Sequence, residues 1–113
     1  MERDLGYLAD ILDAARLIGD FAEGISHEEF LHDEKTQSAV IHQFEIIGEA
    51  ASRVSTPFVV DHRELPWREM VGMRNRLIHA YREVDLGILW KAIHASIPEL
   101  IALIEPQLPP EED

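Results

Sequence analysis

The stretch that decides the fold is "VIHQFEIIGEAASRV", residues 40–54, in which apolar side chains recur every three or four positions. The side chains that share one face of an α-helix at this spacing are Val40, Phe44, Ile47, Ala51 and Val54. We therefore predict one long helix from about Asp33 to Val54. Gly48 costs about 1 kcal/mol of helix propensity relative to alanine, so we expect it to let a second helix approach closely.

The same spacing continues on both sides of this helix. A first amphipathic helix is predicted from Leu5 to about Gly24, and Ser26 is a candidate N-cap for a short helix that follows. Helical spacing resumes at Trp67, and a last helix is predicted from an N-cap at Asp85 to Ile104. Pro98 is expected to bend that last helix.

Two breaks interrupt the helical pattern. Residues 55–67, "STPFVVDHRELPW", contain Pro57 and Pro66 and are predicted to form a loop, because each proline disfavours helix at the residue before it. The C-terminal residues 106–113 are acidic and rich in proline, which predicts a flexible tail. The fold class is therefore all-α, an antiparallel bundle of four to five helices, with one domain at residues 1–105.

Composition restricts the classes of function. The 113 residues include no cysteine, which excludes disulfides, zinc–thiolate sites and a thiol nucleophile. We read no signal peptide and no uninterrupted apolar stretch of about 18 residues, so we expect a cytoplasmic protein with no membrane association. The formal charge of −12 argues against general nucleic-acid binding. Residues 63–82 are the exception, since five arginines there outweigh two glutamates.

Metal binding is the first candidate chemistry, and the spacing disfavours it. The stretch "HEEFLH" resembles a zinc-protease motif, but that motif needs histidines four positions apart on one helix face. His27 and His32 are five apart, which separates them by about 140° around the helix axis. A Glu-x-x-His pair such as Glu29 and His32 would need a second pair to hold two metals. We expect no metal site.

The second candidate is the strip "RNRLIHAY", residues 74–81. On a helix, Asn75 and His79 share a face, so the amide can orient the imidazole, and Arg82 follows on that face. Arg74 and Tyr81 are seven positions apart and share the adjacent face. Phosphodiester cleavage can use a guanidinium to hold phosphate oxygens and an imidazole to move a proton. Alternatively, these arginines pair with nearby glutamates and the strip is solvated surface.

The order Arg-Asn-x-x-x-His in a small helical chain resembles the HEPN superfamily. The fuller pattern Arg-x4-His-x-Tyr, at Arg74, His79 and Tyr81, looks like the HepT toxins of prokaryotic HepT–MNT toxin–antitoxin pairs. The similarity extends from about Leu5 to Ile104 and includes three further stretches. They are "IGEAASRVS", "PWREMVGMRNRLIHAY" and "VDLGILWKAI".

The resemblance implies a type VII-like toxin: a metal-independent endoribonuclease that needs no cofactor and acts as a homodimer, with its cleft where the two motifs meet. Arg74, Asn75 and His79 would be catalytic, with Arg76 and Arg82 as supporting phosphate contacts. The implied partner is an MNT-type nucleotidyltransferase antitoxin that attaches AMP to Tyr81. Two alternatives stay open, a non-catalytic module that binds a nucleotide or docks on a nucleotidyltransferase, and a helical scaffold.

Overall fold

The long helix predicted around residues 40–54 is the centre of the fold. The structure is a computed structural model that describes residues 2–79 and 83–110, and within those residues the regular elements are all helical. The α-helices are α1 (Glu2–Ala22), α2 (His27–Leu31), α3 (Glu34–Arg53), α4 (Thr56–Asp61), α5 (Trp67–His79), α6 (Leu86–Lys91) and α7 (Ile97–Ile104). The all-α prediction is confirmed.

The apolar faces of α1, α3 and α7 form one core. α3 packs against both α1 and α5, and α7 packs against α1. Leu8, Ile11, Ile18, Val40 and Ile104 are among the side chains that are fully enclosed. The Asp4 carboxylate, near the start of α1, accepts hydrogen bonds from the Ser55 backbone N–H (2.8 Å) and hydroxyl (2.6 Å), just after α3 ends. Helices α1 and α3 are therefore antiparallel.

Local signals place several helix ends where the sequence predicts them. Ser26 accepts from the Glu29 N–H, and the Glu29 carboxylate accepts from the Ser26 N–H, which is a capping box. Asp33 caps α3 and Asp85 caps α6, because their carboxylates accept hydrogen bonds from backbone N–H groups of the first turn. Gly24 has a φ of +77°, a conformation that L side chains rarely adopt, and it ends the turn after α1.

The prediction of a loop over residues 55–67 is wrong for its first half. Thr56–Asp61 form α4, and Phe58 within it is buried. Pro57 lies in the first turn of this helix, where its missing N–H has no intrahelical partner to lose. The proline was therefore a helix-start signal rather than a helix breaker, and the irregular segment is confined to residues 62–66.

The last helix is interrupted just before Pro98. A π-helical turn at Ala92–Ser96 joins α6 to α7, and Pro98 lies in the first turn of α7. The ring of a helical proline clashes with the carbonyl group four residues earlier. Here that carbonyl belongs to His94, which lies in the widened π turn. The structure thus has a π turn next to Pro98, where the sequence predicted a bend.

The helical run Leu86–Gln107 is long and apolar enough to cross a membrane by length and composition. Its apolar stripe accounts for that composition, because Leu89, Ile93, Ile97, Leu100 and Ile104 are all buried in the bundle core. Glu105–Gln107 form a 3₁₀ turn and Leu108 packs against the core. Residues 111–113 of the predicted flexible tail lie outside the described residues.

Candidate active site on α5

Helix α5 is held against α3 by a close backbone approach at Gly48. A Cβ atom built on Gly48 would collide with the Cβ of Arg74 and would lie 2.8 Å from the Met70 carbonyl oxygen. Gly48 is buried, as are Met70 and Leu77 on the facing side of α5. The absence of a side chain at Gly48 therefore lets the stem of Arg74 rest on the backbone of α3.

The Arg74 guanidinium is engaged on two sides. Its Nη1 donates to the Glu49 carboxylate at 2.8 Å and to the Ser52 hydroxyl at 3.4 Å. Its Nε and Nη2 donate to the Asn75 side-chain oxygen, at 3.2 and 2.9 Å. The Arg74 side chain is only 20% exposed. Its aim is thus fixed by α3 on one side and by Asn75 on the other.

Glu49 joins Arg74 to a second arginine. Its other carboxylate oxygen accepts from Arg53 Nε at 3.2 Å and Nη2 at 3.0 Å. Hydrogen bonds from Arg53 and then from Arg74 lower the pKa of Glu49. The Glu49 carboxylate raises the pKa of Arg53, and the Tyr7 hydroxyl on α1 adds to that effect. Two permanent cations therefore share one carboxylate.

The two other predicted catalytic side chains lie on the open side of α5. Asn75 and His79 are both exposed, and His79 has no hydrogen-bond or ion-pair partner among residues 2–79 and 83–110. The Asn75 oxygen accepts from Arg74 instead of pairing with His79. The orienting contact expected between Asn75 and His79 is therefore replaced by one between Asn75 and Arg74. Ile78, which precedes His79 in the sequence, is 53% exposed.

The structure separates the remaining predicted residues. Arg76 lies about 200° around the helix axis from Arg74. It lines a cavity of about 140 Å³ between α5 and α6, together with Glu83, Asp85 and Ile88. Tyr81 and Arg82 lie outside the described residues.

The histidines considered for metal binding are engaged elsewhere. The His27 ring stacks on Trp90 with 5.1 Å between ring centroids, and the His32 Nε2 lies 3.2 Å from a Glu28 carboxylate oxygen. Within the part of the chain that the structure describes, no group of three or more His, Asp or Glu side chains is placed to hold a metal ion.

The sequence model of the ribonuclease HepT-like family matches residues 11–106. The chain belongs to the ribonuclease HepT-like family. It is 51% identical over 94 residues to "Probable ribonuclease HepT" of Thermococcus cleftensis, covering 83% of this chain and 86% of the relative. It is 37% identical over 105 residues to "Putative RNase MJ1380" of Methanocaldococcus jannaschii, covering 92% and 96% of the two chains. No solved structure matches.

Family membership confirms the resemblance drawn from Arg74, His79 and Tyr81, and with it the ribonuclease class. Sequence reasoning on this HepT-like chain did not identify two α3 residues near the strip, Glu49 and Arg53. Their i, i+4 spacing predicts a helical ion pair. Glu49 also binds Arg74, 25 positions further on, because α5 docks on α3 at Gly48.

Proposed function

We propose that this protein is a metal-independent endoribonuclease whose active site is built on α5 from Arg74, Asn75 and His79. The observation that carries the proposal is the arrangement of these residues. One packed guanidinium and one exposed imidazole lie on adjacent turns of a single helix. Family membership supports RNA as the class of substrate.

The proposed reaction uses the nucleophile that RNA itself contains. The 2′-hydroxyl attacks the neighbouring phosphorus and loses its proton, while the 5′-oxygen of the next nucleotide leaves and gains one. The products are a 2′,3′-cyclic phosphate and a free 5′-hydroxyl. His79 transfers a proton, Arg74 stabilises charge on the phosphate oxygens, and Asn75 fixes the position of Arg74. Arg76 and Arg82 are proposed as supporting phosphate contacts.

A homodimer through α5 completes this proposal. One protomer supplies one imidazole at the strip, whereas the reaction uses both a base and an acid. The open side of α5 has the features of a contact surface. Ile78 is 53% exposed next to His79, and a Cβ atom at Gly72 would meet nothing within 4 Å. Two copies of this face would place both imidazoles in one cleft.

The biological role we propose is that of the toxin in a type VII-like toxin–antitoxin pair. A cognate MNT-type nucleotidyltransferase would silence it by attaching AMP to Tyr81. Tyr81 follows His79 by two positions in the sequence. An added phosphodiester there could pair with Arg74 and exclude RNA.

A second candidate is a non-catalytic module that binds a nucleotide or docks on a nucleotidyltransferase. It is favoured by one observation, that most N–H donors of Arg74 are already used by Glu49, Ser52 and Asn75. A site that only binds would tolerate this arrangement, whereas catalysis requires Arg74 to reach the phosphate.

The test is cleavage of single-stranded RNA by the purified full-length protein in excess chelator. We expect internal cuts that leave 2′,3′-cyclic phosphate ends, and no cut at a nucleotide whose 2′-hydroxyl is replaced by hydrogen. Binding without cleavage would favour the second candidate. Cleavage that requires added Mg²⁺ or Mn²⁺ would contradict the proposed chemistry.

A further inference from the structure

The carboxylate of Glu49 lies between the side chains of two arginines. Glu49 Oε2 accepts from Arg74, and Oε1 accepts from Arg53. The guanidinium groups are therefore separated by no more than one carboxylate and two hydrogen bonds. Carboxylates and phosphates are held by arginine in the same forked way. A phosphate in place of the Glu49 carboxylate would contact both guanidinium groups.

We propose that Arg53 and Arg74 together form a phosphate-binding subsite for single-stranded RNA, and that Glu49 fills it until RNA displaces the carboxylate. This rests on the proposed function, because it assigns Arg53 of α3 to the substrate of the α5 site. The subsite extends the RNA path from α5 across α3.

Exposure and charge support such an exchange. The side chains of Glu49 and Arg53 are 50% and 60% exposed, so water and RNA reach both. Exposed ion pairs contribute little to stability, and a carboxylate on a flexible side chain can move aside. The three side chains carry a net charge of +1 in a protein of −12, and once Glu49 moves away the phosphate meets two cations.

The location of Arg53 at a helix end also favours a cation there. The Tyr7 hydroxyl on α1 acts with Glu49 to raise the pKa of Arg53. Arg53 lies in the last turn of α3, where a cation is favoured by the helix dipole. Displacing Glu49 therefore leaves the Arg53 guanidinium available for a phosphate, at a helix end that favours positive charge.

The molecule contains a matched control pair. Arg16 Nη2 lies 2.8 Å from Glu105 Oε2, between α1 and the C-terminal 3₁₀ turn, and these side chains are 40% and 58% exposed. Arg16→Gln and Glu105→Gln change the net charge as Arg53→Gln and Glu49→Gln do. They act in a different exposed ion pair, so they show how much of an effect on binding follows from the change in net charge.

The experiment measures binding of a short fluorescein-labelled single-stranded RNA by fluorescence anisotropy. The two subsite variants and the two control variants are all made in the His79→Ala protein, so that the RNA is not cleaved. We expect Arg53→Gln to weaken binding. Its plot of log affinity against log salt should be shallower by about 0.7, the value for one phosphate contact on a single strand. Glu49→Gln should tighten binding about two- to fivefold, as removal of a competing exposed ion pair allows.

The controls decide the outcome. If Arg16→Gln and Glu105→Gln shift affinity as much as their counterparts, net charge explains the result and the subsite is contradicted. It is also contradicted if Glu49→Gln weakens binding, because Glu49 would then be supporting the arginines rather than competing for them. Cleavage by the His79-containing protein is measured separately. If these RNA-binding effects appear in a protein that does not cleave, the ribonuclease proposal fails and the subsite stands.

Discussion

Gly48 of α3 lies directly against Arg74 of α5, and the contact leaves no room for a side chain at position 48. A Cβ atom there would collide with the Cβ of Arg74 and approach the Met70 carbonyl oxygen to 2.8 Å. A backbone oxygen cannot move aside as a flexible side chain can. The position of the proposed catalytic arginine is therefore set by the glycine of another helix.

Gly48→Ala should destabilise the protein and displace Arg74. Overpacking costs about 1–3 kcal/mol, and the gain in helix propensity returns up to about 1 kcal/mol. We expect a lower free energy of unfolding in urea and a fall in kcat for RNA cleavage. Gly6→Ala in α1 is the control, because its Cβ would meet nothing within 4 Å and the same propensity gain should stabilise the protein. Equal effects of the two changes would show that α5 does not dock as described.

Asp4 should make the fold sensitive to acid. Hydrogen bonds from the Ser55 hydroxyl, and then from its N–H, lower the pKa of Asp4 below the usual 3.8. A group whose folded-state pKa is lowered stabilises the fold above its usual pKa, and this contribution is lost as pH falls through the folded-state value. We therefore expect the free energy of unfolding to fall as pH drops below about 4.

Asp4→Asn should remove that part of the pH dependence. It is measured as the difference in free energy of unfolding between wild type and variant at pH values from neutral to below the folded-state pKa. The difference should shrink toward acid pH. Asp10→Asn, at an exposed position of the same helix, is the control. A difference for Asp4→Asn that stays constant with pH would contradict this assignment.

Much of the fold could be predicted because its signals are local. The apolar spacing of α3 and the caps at Ser26, Asp33 and Asp85 each depend on residues within a few positions. The small residue at Gly48 also predicted a helix contact. The identity of the partner helix and the side chain resting there could not be predicted, since they depend on tertiary packing.

The errors have the same origin. Pro57 interrupts a helix or begins one according to its distance from the N-cap. That cap is Ser55, whose side chain makes no capping hydrogen bond and donates to Asp4 instead. In the site, the spacing of Asn75 and His79 predicted a mutual contact. The docking of α5 on α3 instead brings the Arg74 guanidinium to the Asn75 oxygen. The link from Arg74 through Glu49 to Arg53 joins residues far apart in sequence, and no local pattern contains it.

Ile78→Asp should separate the proposed dimer. The side chain is 53% exposed next to His79, and a carboxylate there would be buried without a partner if two α5 helices met. We expect a monomer in sedimentation velocity at micromolar concentration, with cleavage lost and helical content retained. Val60→Asp introduces the same group at a 48% exposed position of α4 and should leave the dimer intact. A monomeric wild-type protein that cleaves RNA would contradict the shared cleft.

Tyr81→Phe should release the protein from silencing. If AMP is attached to the Tyr81 hydroxyl, the phenylalanine variant still cleaves RNA but gains no AMP mass when it is co-expressed with a cognate nucleotidyltransferase. Tyr7→Phe is the control, since it removes the phenol of the chain's other tyrosine and should leave the AMP adduct in place. Intact-mass spectrometry of the co-expressed proteins measures the difference. An AMP adduct on Tyr81→Phe, or normal silencing without any adduct, would contradict the switch.

The most direct test of catalysis by the groups on α5 is the single-turnover rate of RNA cleavage by His79→Ala in excess chelator. His79 is exposed and has no partner among the described residues, so the variant should keep its circular dichroism spectrum and unfolding midpoint. His42→Ala, at an exposed position of α3, is the matched control. We predict that His79→Ala cleaves RNA at least about 10²-fold more slowly than wild type, and that His42→Ala cleaves at the wild-type rate. A folded His79→Ala protein that cleaves at the wild-type rate would contradict the account.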